Sequence, residues 1–439
     1  MILRPVLAAL AALVTLALPA LAEVKIQEVT SPGGLKAWLV EDHGIPFTAL
    51  EIRFVGGTSL DAPGKRGATY LMSGLIEEGA GDLDSRAFAE ARDALAASFS
   101  FHAGTDTFSV SARFLTENRD QAVDLLALAL TKPRFDQDAV DRVREQVLSG
   151  LRSDEKDPNT IASRTFDALA FGAHPYATAG EGTLASVAAL TRDDMIAAWQ
   201  GAIARDRVVI GATGDITAAE LATLMDTLLG GLPETGAPLP GPAPWALTPG
   251  VTVVPFPSPQ SVIYFGHEGI RRDDPDFFAA YLLNEVMGGG RFSARLMREV
   301  REKRGLTYGI GTYLIPMDLS ELYLGQFSAS NDKVAEAIEV VRAEWARIAA
   351  DGITEAELAE TKTYMTGSYP LNFSGNGPIA DILVGMQMDH LPIDYVATRN
   401  ARVEAITLED VKRVAARIYK ADHLRFVVVG QPTGVTSTP

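Results

Sequence analysis

Residues 288–313 read GGGRFSARLMREVREKRGLTYGIGTY. The pattern predicts a glycine loop, a helix and a strand in succession. After the loop, Phe292, Leu296, Met297 and Val300 recur at i, i+4, i+5 and i+8, one apolar face of a helix. Arg301, Lys303 and Arg304 crowd the last turn, where cations suit the negative end of the helix dipole. Gly305 then supplies a left-handed stop, and Leu306 to Tyr313 alternate as a strand does. The chain therefore reverses between Arg301 and Tyr308, so that a guanidinium and a phenol seven positions apart can face one space. Two fixed donors aimed at one point can hold a developing oxyanion. The same spacing also describes a solvated C-terminal arginine and a half-buried strand tyrosine, and spacing alone does not choose between them.

The segment resembles the C-terminal-domain signature of the pitrilysin/insulinase family of zinc peptidases, which includes the mitochondrial processing peptidases. In that family a glycine loop, an S-x-R-L helix and an R-E-K-x-G-L-x-Y run supply an arginine–tyrosine pair to the substrate. The matching residues are Gly288, Gly289 and Gly290, then Ser293-Ala-Arg295-Leu296, then Arg301-Glu-Lys-Arg-Gly-Leu-Thr-Tyr308.

Residues 1–22 read as an export signal, with Arg4 ahead of a short apolar run and Ala20-Leu21-Ala22 as a small-x-small cleavage site. The mature chain is expected to begin near Glu23, in the periplasm, with no membrane insertion once the signal is cut. The rest of the 439 residues exceed one core and suit about two domains. Cysteine is absent, which excludes thiol catalysis and cysteine-ligated metal. A net charge of −17 argues against nucleic acid and anionic lipid as partners.

The stretch 230–250 is rich in proline and glycine and reads as an extended connector between a domain at 23–229 and another at 251–439. The two halves repeat each other. Thr191 opens a capped helix that leads to a strand ending at Gly214, and Thr407 and Gly430 recur at one common offset. Thr48–Val55 and Thr107–Phe114 alternate as strands, and helical periods run over Gly67–Glu78, Arg86–Ala97, Asn118–Thr131 and Gln137–Ser153. His174-Pro-Tyr176 and Gly180-x-Gly182 extend the resemblance through the first half. It implies an α+β fold of two homologous clamshell domains, each a mainly antiparallel sheet backed by helices, as in the processing peptidases.

Active members of that family bind zinc through H-x-x-E-H on a helix, with two histidines as ligands and the glutamate as general base. The family's D-x-x-G-x-x-G lead is matched here by Asp61 to Gly67. In the helix that follows, Tyr70 replaces the first histidine, Ser73 the base and Gly74 the second histidine, and the distal glutamate falls on Ser149 or Gly150. None of these offers a strong zinc donor. The six histidines, His43, His102, His174, His267, His390 and His423, are scattered. The adjacent Glu77 and Glu78 point about 100° apart on a helix and suit a solvated end. No catalytic metal is expected.

By resemblance, the chain is the zinc-less subunit of a two-chain peptidase. It would bring Arg301 and Tyr308 in trans to an unstructured peptide bound at the zinc of a paralogous partner. The glycines at 288–290 would let substrate backbone approach closely or serve only as a helix-entry turn, and the strand around Ser98–Val110, which in active relatives pairs with extended peptide, either keeps that role or only completes the sheet. The rival expectation is a pseudoenzyme that captures peptides, or a scaffold, as a homodimer or envelope-complex subunit.

Overall fold

The computed structural model describes residues 25–438, so the expected signal at 1–22 lies outside the described residues. The first sheet contains β1 (Gln27–Thr30), β2 (Lys36–Glu41), β3 (Phe47–Val55), β4 (Ser98–Ala103), β5 (Thr107–Leu115) and β6 (Val208–Gly214), in the order β1-β2-β6-β3-β5-β4. The second contains β7 (Gly250–Pro255), β8 (Gln260–Glu268), β9 (Ile310–Pro316), β10 (Glu321–Ser330) and β11 (Arg425–Gly430), in the order β9-β10-β8-β11-β7. Only β2 with β6, and β7 with β11, run parallel. Traced from β2 and from β7, the two sheets show the same succession of one parallel and three antiparallel pairs. The sequence repeat is thus a repeat of topology, with β1 as an extra edge strand in the first half.

Helices back each sheet, as the periodicity requires. Thr191 and Thr407 both form capping boxes, with Asp194 and Asp410 reaching back to them. The core of the first half gathers Phe54, Leu71, Phe88, Phe108 and Leu126, and that of the second gathers Phe265, Leu283, Trp345 and Phe426. β11 is buried along its whole length, as a continuous β-branched run requires when both faces are covered.

The second face of β11 is covered from the other half of the chain. Helix Pro158–Phe171 places Ala162, Phe166 and Phe171 against Val262, Leu322, Val427 and Val429. Reciprocally, helix Asn376–Met388 lies on β6, β3 and β2. There Gln387 Nε2 donates to the Ile210 carbonyl (2.8 Å) and Arg53 Nη2 to Asp381 (2.6 Å). Gly211 on β6 is what permits the approach, since a Cβ there would stand 2.7 Å from the Ala380 carbonyl oxygen. The halves therefore exchange a helix.

Three local expectations are corrected. The helix predicted over 67–78 is the six-residue Ala68–Ser73, closed by Gly74. The segment after the glycine loop is a turn followed by a π-helix, Met297–Glu302, and Phe292 is 66% exposed instead of lying on its buried face. The following strand starts at Ile310, so Tyr308 precedes it. The tight turn at Arg291–Ala294, closed by the Ala294 N–H on the Arg291 carbonyl (3.1 Å), breaks the phase that would have brought Phe292 inward.

Candidate functional site

Helix Phe277–Met287 leads into the glycine loop. Gly288 packs on β9: the Thr312 N–H donates to its carbonyl (2.8 Å), and a Cβ would stand 2.6 Å from Thr312 Oγ1. At Gly289 a Cβ would meet Glu285 at 2.6 Å. Gly290, with φ +85°, has open space beside it. Close packing within the chain thus accounts for two of the three glycines.

Beyond the loop, Leu296, Met297 and Val300 are buried in the second core. The π-helix ends where the Gly305 N–H donates to the Arg301 carbonyl (2.8 Å) and the Leu306 N–H to that of Val300 (2.9 Å). Gly305 takes φ +59°, the predicted left-handed stop. Leu306 and Thr307 are buried, and Thr307 Oγ1 donates to the Ser328 carbonyl (2.7 Å). Tyr308, between this anchor and β9, is 85% exposed.

The charges of the segment divide unequally. Arg295 forks onto Glu357 (2.8 and 2.7 Å), and against the desolvation of its site this guanidinium pulls the Glu357 carboxyl down to about 2. Lys303 (2.8 Å) and Arg304 (3.0 Å) converge on the buried Glu299, with Arg298 at 3.6 Å. Lys303 first, then Arg304, hold that carboxyl at about 2. Arg291 reaches Glu360 (3.3 Å) and Thr361 Oγ1 (2.9 Å). Among the described residues Arg301 alone of the segment's cations makes no ion pair or side-chain hydrogen bond, and its guanidinium carbon sits 4.9 Å from the Phe292 ring centre. Tyr308 likewise makes no side-chain hydrogen bond, and the two donors, on either side of the Gly305 reversal, are not bonded to each other. Both remain available to an acceptor from outside.

The first half presents the other candidate positions. Ser73 Oγ donates to the Tyr70 carbonyl of its own helix (2.7 Å). Burial, then the charges of Glu181 and Asp154, keep the Tyr70 phenol protonated beyond its ordinary range. A Cβ at Gly74 would stand 3.1 Å from Val143 on the distal helix Gln137–Asp154, where Ser149 and Gly150 face solvent. A protonated phenol, a hydroxyl turned to its own helix and a glycine do not fit zinc. Glu77 and Glu78 are held by Arg92 (2.9 Å) and Arg142.

Sequence reasoning missed a polar cleft of about 510 Å³ between the halves, bordered by Asp154, Asp167, Glu181, Tyr176 and Tyr264. Burial raises the Asp167 carboxyl to about 7. Its one sequence signal is an acid set among the apolar residues of Phe166-Asp-Ala-Leu-Ala-Phe171. The histidine-proline-tyrosine motif proves to be an anchor between halves. Tyr176 donates to Asp106 and accepts from the Leu319 N–H (3.1 Å), while the Asp318 N–H donates to Asp106 (3.2 Å).

Two family models match the chain. Residues 37–183 match the insulinase family, peptidase family M16, and residues 189–365 match the peptidase M16 inactive domain. The non-peptidase homolog YmxG of Helicobacter pylori is 23% identical over 390 residues, covering 89% of this chain and 90% of that protein. A probable mitochondrial-processing peptidase subunit beta of Schizosaccharomyces pombe is 23% identical over 94% of this chain and 92% of its own length. The crystal structure of a peptidase M16 inactive domain from Pseudomonas fluorescens superposes with a TM-score of 0.87 at 30% identity, covering 94% of this chain and 99% of that one. Along both halves and in fold, the chain belongs to peptidase family M16, the insulinase family, as a member without the zinc-ligand set.

Proposed function

We propose that this chain is the zinc-less subunit of an exported, periplasmic two-chain peptidase and brings Arg301 and Tyr308 to a peptide held at the zinc of a related subunit. The observation that carries the reading is the pairing of opposites in one chain. The positions of the metal ligands and base hold Tyr70, Ser73 and Gly74, while a half-buried Arg301 and an exposed Tyr308 keep unused donors on a buried, well-anchored support. A relative named as a processing-peptidase subunit is consistent with a shared site.

In this role Tyr308 donates to the oxyanion that forms as the peptide carbonyl is attacked, and Arg301 holds a neighbouring substrate carbonyl. The partner supplies the metal and the water-activating carboxylate. Donors fixed before the reaction stabilise charge without reorganising, and removing one typically costs about 3 kcal/mol of barrier, roughly a hundredfold in rate.

The test is to express the mature chain alone and together with a zinc-motif relative, and to assay each on an unstructured peptide. The expected result is hydrolysis only by the mixture, reduced roughly a hundredfold by Arg301→Ala or Tyr308→Phe. Activity of the mixture that ignores both substitutions would point instead to a scaffold that captures peptides.

A further inference from the structure

Phe292 is a large apolar side chain left 66% exposed, although Leu296, Met297 and Val300 in the same segment reach the core. Its backbone is held from both sides. Arg291 is tied to Glu360 and Thr361 and lies over Tyr364 (4.8 Å), and Ser293 Oγ donates to Glu360 (3.3 Å). The ring held out in this way carries the Arg301 guanidinium at 4.9 Å.

We propose that Phe292 is a positioning residue for Arg301, fixing the guanidinium by its face so that the in-plane N–H donors stay free for a peptide acceptor. This rests on the donor role given to Arg301 above. The chemistry favours the arrangement. An arginine fixed by a carboxylate loses its donor fork to that carboxylate, whereas one stacked on a ring is immobilised through its π face and keeps its donors. The nearby Glu299 does not compete, because Lys303 and Arg304 bond it and Arg298 faces it. The other cations of the segment thus occupy Glu299, and Arg301 makes no ion pair with the adjacent, exposed Glu302, so the aromatic ring supplies the restraint that an ion pair would otherwise give.

The test has two arms. In the single chain, the heteronuclear NOE of the Arg301 Nε–H measures the order of the side chain without any partner or substrate. Order is expected in the wild type and in Phe292→Tyr, and loss of order in Phe292→Leu. In the mixture with a zinc-motif relative, Phe292→Leu is expected to lower kcat/KM about two- to fivefold, the scale of one exposed cation–π contact, with Phe292→Tyr restoring it. Combined with Arg301→Ala, Phe292→Leu should cost nothing further. An Arg301 side chain already mobile in the wild type, or equally ordered in Phe292→Leu, overturns the proposal, as does a full additional loss in the double variant. If Arg301→Ala leaves the mixed activity intact, the donor role fails, and the NOE arm still decides whether Phe292 fixes the side chain.

Discussion

His267 is buried in the second core with both ring nitrogens occupied. Trp345 Nε1, which can only donate, bonds Nε2 (3.0 Å), so Nδ1 carries the proton and donates to the Glu268 carbonyl (2.6 Å). Protonating Nε2 would break the tryptophan bond and bury a charge, and burial lowers the imidazole to about 4. Between about 4 and 6.5 the unfolded chain therefore binds a proton that the folded chain does not. Stability from this residue is present above pH 6.5 and is lost as pH falls towards 4, up to roughly 3 kcal/mol. Urea midpoints between pH 7 and 5 should fall more steeply for the wild type than for His267→Gln; equal slopes refute the assignment. In the sequence His267 is one of six scattered histidines with no sign of this role, because the bond that fixes it comes from Trp345, far along the chain. Phe292 failed for the opposite reason: the local pattern was clear, and one tight turn shifted its phase.

At the scale of elements, two glycines in regular structure should respond with opposite signs. Gly211 lies under helix Asn376–Met388, where a Cβ would meet the Ala380 carbonyl oxygen at 2.7 Å and Leu383 Cβ at 3.0 Å. Backbone cannot yield as a side-chain tip can, so Gly211→Ala should destabilise by about 1–3 kcal/mol in urea unfolding. Gly150 sits inside helix Gln137–Asp154 with open space around it. Gly150→Ala should stabilise by about 0.5–1 kcal/mol, through helix propensity alone. A destabilised Gly150→Ala would mean that this face of the helix is covered by something outside the single chain. Strands, most helices and the capped helix starts were readable in the sequence, because alternation, period and caps are local. The shortening of the 67–78 helix is less so: the helical period runs on past Gly74, and Gly74, at a lost ligand position, is also the residue that ends the helix.

Across the whole molecule, the exchange of helices makes each half part of the other's core. Helix Pro158–Phe171 completes the cover of the second sheet and helix Asn376–Met388 that of the first, and Tyr176 with Asp106 anchors the 318–319 turn. Despite a connector at 230–250 that marks two domains in the sequence, the intact chain should unfold in a single cooperative urea transition, coincident by far-ultraviolet dichroism and tryptophan fluorescence. Two separated transitions would refute the interlocking. Tyr176→Phe removes the donor to Asp106 and the acceptor of the Leu319 N–H together, and should cost about 1–3 kcal/mol in the same experiment.

What the sequence determined by itself was the duplication and the strand and helix pattern of each half, because spacing, period and residue type are local. The resemblance to the insulinase family, not spacing, singled out Tyr70, Ser73 and Gly74 as the positions without zinc donors and Arg301 with Tyr308 as the candidate pair. Only the tertiary structure decided that Phe292 stands outside against Arg301, that Arg301 alone among the cations of its segment keeps its donors free, and that the halves share helices across their boundary. The first two arise from a tight turn at 291–294 and from competition for Glu299 within one segment, and the third from contacts between residues distant in the chain, where packing space chooses among arrangements that local propensity leaves equal.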